Sequence, residues 1–522
     1  MISRSIVSNW FGFMISGLVS LLLTPLLLHR LGDVFFGLWV LAASLLDYYG
    51  LLDIGMRTAL FHFIARFHGA DDATELRVTL ATALALALLV SALLLLVLPL
   101  AAFVLPRFFS LAPAARAAFA WTIAWIGLSL ALTFPARVLG SYLSGVRRFD
   151  LYNVGAVCTV VLRGALMAAA LLAGYGLVAL AVAACIASAA SLLLNLYLLR
   201  RADARASIHL RLASRRRARE ILGYSVFAFF NVCGEQLRSY SDAVVIGRVL
   251  VMSMIAPFNI AIRLIEYMKS ILTGIASPIL GRLSEISGAG RRRELRRYFL
   301  RGTRYMALAT VFLSLLLAVD GRALIVAWVG SAYASSYILL LILLSGYIVA
   351  NAQTPSQLLM LAIARHRFLG YLTLTEGAAN IVLSIVWGRR YGLVGVALGT
   401  VVPLLAAKLI VQPIYTLSVA HVPLRQYLSE ALLAPVAVGV LAGFILRIPG
   451  FPQPGPGIAA LAGAMFCQIC VLSLLGWSIG LDPDARRALR GWARRAWAGR
   501  APTASAVARH GIRPPARSSE LP

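Results

Sequence analysis

The sequence is poor in charge, in acid and in cysteine. Charged residues make up only 13% of its 522 positions, about half the usage of soluble globular chains, which is roughly 25%. With 61% hydrophobic residues and a mean hydropathy of +0.86, that shortage excludes a soluble protein. Long polar stretches are also missing, so the chain has no space for a sizeable extramembrane domain. The first apolar run, 10–28, lacks a small-residue cleavage site after it and reads as a retained helix. Five cysteines, four of them within apolar runs, give no disulfide framework. Cys467 and Cys470 form a CxxC, but a redox pair needs an accessible thiolate at a helix start. Inside AMFCQICVLSLLGW, packing accounts for both.

Acid is scarce: 20 Asp and Glu stand against 48 Lys and Arg, a net charge of +28. Such a balance suits a nucleic-acid partner, but its distribution argues against one. Nearly all of it is arginine, gathered in a few loops and the tail, where the positive-inside rule places it.

What is present is a series of apolar runs. At about 20 residues per span, they predict helices near 8–30, 36–56, 78–104, 117–139, 152–173, 176–199 and 220–247. A second set follows near 251–281, 303–328, 335–361, 368–388, 392–418, 430–447 and 456–480. The expected fold is therefore an all-α integral membrane protein of about fourteen transmembrane helices. Arginine falls in alternate connections: 57–77, 137–150, 200–219, 282–304 and 365–367 hold three, three, eight, eight and two. That bias puts both termini in the cytoplasm.

The chain also repeats itself. GADDATELR at 69–77 aligns with GAGRRRELR at 288–296, and RRFDLY at 147–152 with HRFLGY at 366–371, both at a shift of 219. YGLV at 175–178 recurs at 391–394, a shift of 216. Each pair falls on the same predicted side, which implies two parallel six-helix repeats. The expected organisation is an N-lobe at 1–199, a basic linker at 200–219 and a C-lobe at 220–418. Two extra helices occupy 419–480, and a tail fills 481–522. In the tail, DPDARRALRGWARRAWAG at 482–499 is a basic amphipathic helix suited to anionic lipid, and 501–522 reads as disordered. Two similar bundles can rock about a central site, so the architecture points to a transporter.

Charges inside the spans are candidates for that site. On the predicted helix at 251–281, Asn259, Arg263, Glu266, Ser270, Thr273 and Ser277 share one face, with Lys269 beside it. On the preceding helix, Asn231, Glu235, Arg238 and Asp242 share another. Ser44, Asp47 and Thr58 lie on one side of the second span, and Asp47 aligns with Glu266 at the 219 shift. Continuous polar faces on adjacent helices suit an aqueous cavity, where the cations meet an anionic ligand and the carboxylates tune them or carry protons. The alternative is intramembrane ion pairing that fixes helix packing, Glu266 with Arg263 or Lys269 and Glu235 with Arg238. Arg57, Arg163, Glu376 and Lys408 are weaker candidates that can snorkel to the interface.

The stretch TPLLLHRLGDVFFGLWVLAASLLDYYGLLDIGMRTAL at 24–60 resembles the start of bacterial polysaccharide transporters of the multidrug/oligosaccharidyl-lipid/polysaccharide (MOP) exporter superfamily. SDAVVIGRVL at 241–250 and FNIAIRLIE at 258–266, with Ser277-Pro278, are similar to that family's seventh and eighth helices. The resemblance spans roughly 1–480 and includes the Wzx-type flippases. It implies passage of undecaprenyl-diphosphate-linked oligosaccharide, an O-antigen or other lipopolysaccharide precursor, across the bacterial inner membrane. It also implies a cationic cavity, no catalytic residue and no cofactor. Partners would be the lipid-linked glycan, membrane lipids and glycan polymerase or ligase machinery. Arg263 stands where the family commonly has a basic residue after a Tyr-led stretch, and the Tyr position is Phe258. Competing readings are a small-molecule exporter of the same superfamily, a membrane glycan polymerase or ligase, and a structural scaffold. The short outward loops count against the enzyme, and buried charge without a packing need counts against the scaffold.

Overall fold

In the computed structural model, residues 2–47, 56–203, 209–363, 365–453, 457–487 and 490 are described. All their regular structure is helical. That is the demand of a bilayer, where every backbone N–H and C=O must be satisfied within the segment.

The helices are α1 (Ile2–Asp47), α2 (Met56–Gly69), α3 (Ala73–Phe108), α4 (Pro113–Gly145), α5 (Phe149–Leu172) and α6 (Leu177–Ala202). Next come α7 (Arg215–Val249), α8 (Ile255–Gly288), α9 (Arg292–Val329), α10 (Ser336–Ala352), α11 (Thr354–Ala362) and α12 (His366–Leu405). The chain ends in α13 (Gln412–Ala420), α14 (Leu424–Tyr427), α15 (Leu433–Ile445) and α16 (Ile458–Leu475). Among the described residues, ten helical stretches are long and apolar enough to cross a membrane. The protein is a multi-pass membrane protein.

The helix boundaries differ from the sequence pattern for local reasons. The first two predicted spans form one helix, α1, bent at Gly32, and the predicted spans at 368–388 and 392–418 join through α12, bent at Gly392. Both glycines have positive φ, 70° and 61°, a conformation that glycine takes without the Cβ penalty. The predicted span at 335–361 is split into α10 and α11 at Gln353, just before Pro355, whose missing N–H suits a helix start. α7 and α8 are not among those ten stretches. Residues 48–55 of the motif at 24–60 lie outside the described residues, as do 488, 489 and 491–522 of the tail.

Two groups of helices are evident in the packing. α4 lies against α3 and α6, α5 against α6 and α1; α12 lies against α7 and α10, α10 against α8 and α9. α15 and α16 lie on α9. One apolar core runs through both groups, from Leu38, Leu41 and Leu180 to Ile265, Leu340 and Leu404. Outward-facing side chains such as Leu96 (76% exposed) and Phe444 form the lipid-facing surface.

The two ends of the bundle are chemically distinct. At the arginine-rich end, Arg217 bridges Glu75 and Glu220, Tyr142 donates to Asp203 at 2.7 Å, and Arg301 holds Asp482 and Asp484. Arg301, and then Arg487, hold the Asp484 carboxyl below the usual carboxylate range. At the opposite end, Tyr333 donates to Asp33, and Arg248 lies 5.3 Å from the Phe108 ring centroid.

Candidate functional site

The site forms where the two groups meet. The arm of α1 after Gly32 runs alongside α8, and at Gly37 the approach leaves no space for a side chain. A Cβ there would lie 2.3 Å from the Met252 carbonyl oxygen, just before α8 begins. That contact closes the groups together at the end opposite the arginines. Further in, a cavity of about 230 Å³ opens between them, walled by Trp39 and Ser44 of α1, Tyr240 and Asp242 of α7, and Asn259, Arg263 and Glu266 of α8.

The 4–3 spacing on α8 accounts for its wall. Asn259, Arg263 and Glu266 are about one turn apart on one face, and the opposite face, with Leu264, Ile265 and Met268, is buried in the core. Arg263 Nη1 lies 3.0 Å from Glu266 Oε2, and the side chains are 41% and 40% exposed. Sequence reasoning offered cavity and ion pair as alternatives; here one pair of residues does both. A half-exposed pair of this kind contributes only about 0–1 kcal/mol, so Arg263 is held loosely.

Lys269 and Glu235 take a different position. Lys269 is not on the cavity wall; its Nζ lies 3.7 Å from Glu235 Oε1 of α7 and 5.6 Å from the Tyr347 ring centroid of α10. The side chains of Asn231, Arg238, Asp47 and Ser277 lie outside those the structure describes. Among the described side chains, the cavity wall therefore carries one cation, Arg263, facing two carboxylates, Glu266 and Asp242.

Asp242 is the most enclosed of these groups, at 5% exposure. Thr400 Oγ1 is 3.1 Å from each of its carboxylate oxygens, and the neighbouring Ser241 donates to Asn380 Oδ1 at 3.0 Å. Thr400 and Asn380 escaped the sequence reading: both are uncharged and lie in the largely apolar sequence of α12.

A second buried system was read from sequence as snorkelling, and the structure corrects it. Lys408 and Glu376 face each other at 3.6 Å with side chains only 1% exposed. Lys408 Nζ also donates to Gln412 Oε1 at 3.1 Å, Gln412 to the Gln353 carbonyl at 3.2 Å, and Gln353 Nε2 to Tyr427 Oη at 2.9 Å. Charges that meet a partner inside need not reach the interface. Cys467 and Cys470 are both free thiols.

Residues 2–286 match the family model described as polysaccharide biosynthesis protein. No curated protein matches the chain in sequence at a significant level. Among solved structures, the chain is similar to lipid II flippase MurJ in an inward closed conformation, with a TM-score of 0.71 and 14% identity over 91% of this chain and 98% of MurJ. It is similar to a multidrug resistance MATE transporter of the MOP superfamily in an inward-facing conformation, with a TM-score of 0.68 and 16% identity over 80% of this chain and 98% of the transporter. A MOP superfamily transporter from Pyrococcus furiosus gives 0.58 and 16% over 80% and 96%. At these identities the structural likeness shows the fold. The family match covers more than half of the chain, and the chain belongs to the polysaccharide biosynthesis protein family, with the fold of the MOP-superfamily transporters.

Proposed function

We propose that the protein is a flippase that carries a polyprenyl-diphosphate-linked oligosaccharide, a surface-polysaccharide precursor, across the bacterial inner membrane by alternating access. The observation that carries this reading is the cavity between the two helix groups, with the weakly held Arg263 on its wall. A diphosphate offers Arg263 charge-assisted, bidentate contacts worth about 1.5–3 kcal/mol each. The existing pair with Glu266 is worth less, so the substrate takes Arg263 from Glu266. The polyprenyl tail stays in lipid while the headgroup crosses between the groups. The Gly37–Met252 contact is the closed gate at the end opposite the arginines, which in this reading faces the periplasm, and both termini face the cytoplasm.

Asn259 is a hydrogen-bonding neighbour for the headgroup, and Arg238, Asn231 and Lys269 are further contacts as the cavity widens. Glu235, Asp242, Glu266 and Asp47 are the coupling candidates. Asp242 is the strongest of them, because burying a carboxylate is costly and its charge state depends on the cavity beside it. The protein carries out transport and no bond chemistry.

The test is glycan display in cells whose only copy carries Arg263→Ala, alongside extraction of lipid-linked intermediates and an immunoblot for protein level. Loss of display with accumulation of the lipid-linked intermediate supports the reading. Normal display at normal protein level contradicts it. Loss of display without the intermediate points to the exporter alternative.

A further inference from the structure

The turns before α3 and α9 are the two copies of the motif at 69–77 and 288–296, and their backbones are alike. Ala70, Asp71 and Asp72 donate to Arg66, His68 and Phe67. Ala289, Gly290 and Arg291 donate to Glu285, Ser287 and Ile286, each shifted by 219 positions. Even the positive φ is shared, 52° at Asp71 and 67° at Gly290.

Their charges are reversed. In the first turn, Asp72 Oδ1 accepts from the Glu75 N–H at 3.0 Å and caps α3. The matching residue in the second turn is Arg291, and no side chain caps α9. The first turn borders a cavity of about 190 Å³ whose lining includes Asp71 and Asp203 as well as Arg77 and His68. The second borders one of about 580 Å³ lined by Arg291, Arg292, Arg293, Arg296, Arg365 and His421, with no carboxylate in its wall.

Internal acid does not balance that wall. Glu294 lies outside the wall and serves two guanidiniums, Arg291 at 2.8 Å and Arg282 at 3.1 Å. No carboxylate within salt-bridge distance is seen for Arg292, Arg293, Arg296 or Arg365 among the described residues. Arg296 Nε is buried without a hydrogen-bond partner. Several like charges around one void repel each other, and uncapped N–H groups at the α9 terminus add positive potential.

We propose that this cavity binds the phosphate headgroup of an anionic phospholipid, which supplies to α9 the charge that Asp72 supplies to α3. The opposite wall favours a lipid over a soluble phosphate. Leu295, Leu359, Ile363, Val419 and Ala420 line it, giving an acyl chain an apolar surface beside the arginines. Basic pockets between membrane helices at the positive end are suited to such headgroups, and arginine binds phosphate through paired N–H donors. This assignment is independent of the reading of the central cavity.

The experiment is native mass spectrometry of the purified full-length protein in neutral detergent, titrated with phosphatidylglycerol, phosphatidylcholine or inorganic phosphate. Phosphatidylglycerol should bind at least about tenfold more tightly than phosphatidylcholine, and Arg293→Ala with Arg296→Ala should remove that preference, each lost contact being worth about tenfold or more. Arg291→Asp installs the carboxylate cap of the first turn. It should keep the fold, read by an unchanged melting temperature, and cut phosphatidylglycerol binding as strongly. Equal retention of the two lipids, unaltered binding in both variants, or inorganic phosphate displacing the lipid at equal concentration would overturn the proposal.

Discussion

The interiors of the two helix groups are held by different chemistry. Within α1–α6 the described buried contacts are mostly between hydroxyls, amides and backbone: Ser129 Oγ meets Ser188 Oγ at 2.8 Å and the Ala184 carbonyl at 3.2 Å, and Ser91 donates to the Ala131 carbonyl at 2.7 Å. Within α7–α16 buried neutral contacts such as Gln353 with Tyr427 are joined by contacts that involve charge: Asp242 with Thr400, Glu376 with Lys408, and Asp320 with Gln468 at 2.8 Å. Motifs of the first group recur in the second, so the difference is not imposed by the membrane. Neutral hydroxyl contacts tie helices together whatever the pH or ligand. Buried charge makes the second group responsive, because each ionised group there is stable only while its partner stays in place.

The comparison is most sharply broken at Lys408. Lys408→Met leaves Glu376 buried without its cation and should destabilise the protein by about 3–5 kcal/mol. Adding Glu376→Gln should restore most of that loss. Chemical denaturation of the purified protein checks it: equal stability of the single and double variants would show that the pair is not what holds this region. Next in size is the contact between the groups. Gly37→Val cannot fit beside the Met252 carbonyl, and overpacking costs about 1–3 kcal/mol, so the groups should part at that end. Spin labels at Val34 and Val251, both exposed, should move apart in this variant, and an unchanged distance would show that the gate lies elsewhere. The smallest effect is expected in the first group. Ser129→Ala removes one of a set of hydroxyl contacts and should cost about 1 kcal/mol, with no dependence on pH between 5 and 8 in the same denaturation assay.

How much of this could be read from the sequence depends on whether a residue's partner is near in the chain. The Asn259–Arg263–Glu266 face was legible because all three are on one helix and the helical period brings them together. So was the repeat, whose two turns share their hydrogen bonds as well as their letters. Asp242 stood out, but its partner Thr400 is 158 positions away, and no periodicity in α12 marks that threonine. Glu376 and Lys408 looked like snorkelling residues because each is the one charge in its predicted span, 368–388 and 392–418. Their pairing depends on the bend at Gly392, which folds the chain back on itself, followed by the π-helical turn at 406–411 that contains Lys408. The charge balance of the central wall was also hidden, since Asp242 joins Arg263 and Glu266 only when α7 packs beside α8.

The claim on which the account rests is that Arg263 holds the diphosphate during crossing. The most direct measurement is translocation of a fluorescent polyprenyl-diphosphate-linked oligosaccharide in proteoliposomes containing purified protein, read by quenching of the label that remains in the outer leaflet. Losing one charge-assisted contact of about 1.5–3 kcal/mol, Arg263→Ala should slow transfer by roughly ten- to a hundredfold, and Arg263→Lys should keep part of it. Transfer by Arg263→Ala at the wild-type rate would contradict the account and leave the Arg263–Glu266 pair a structural one.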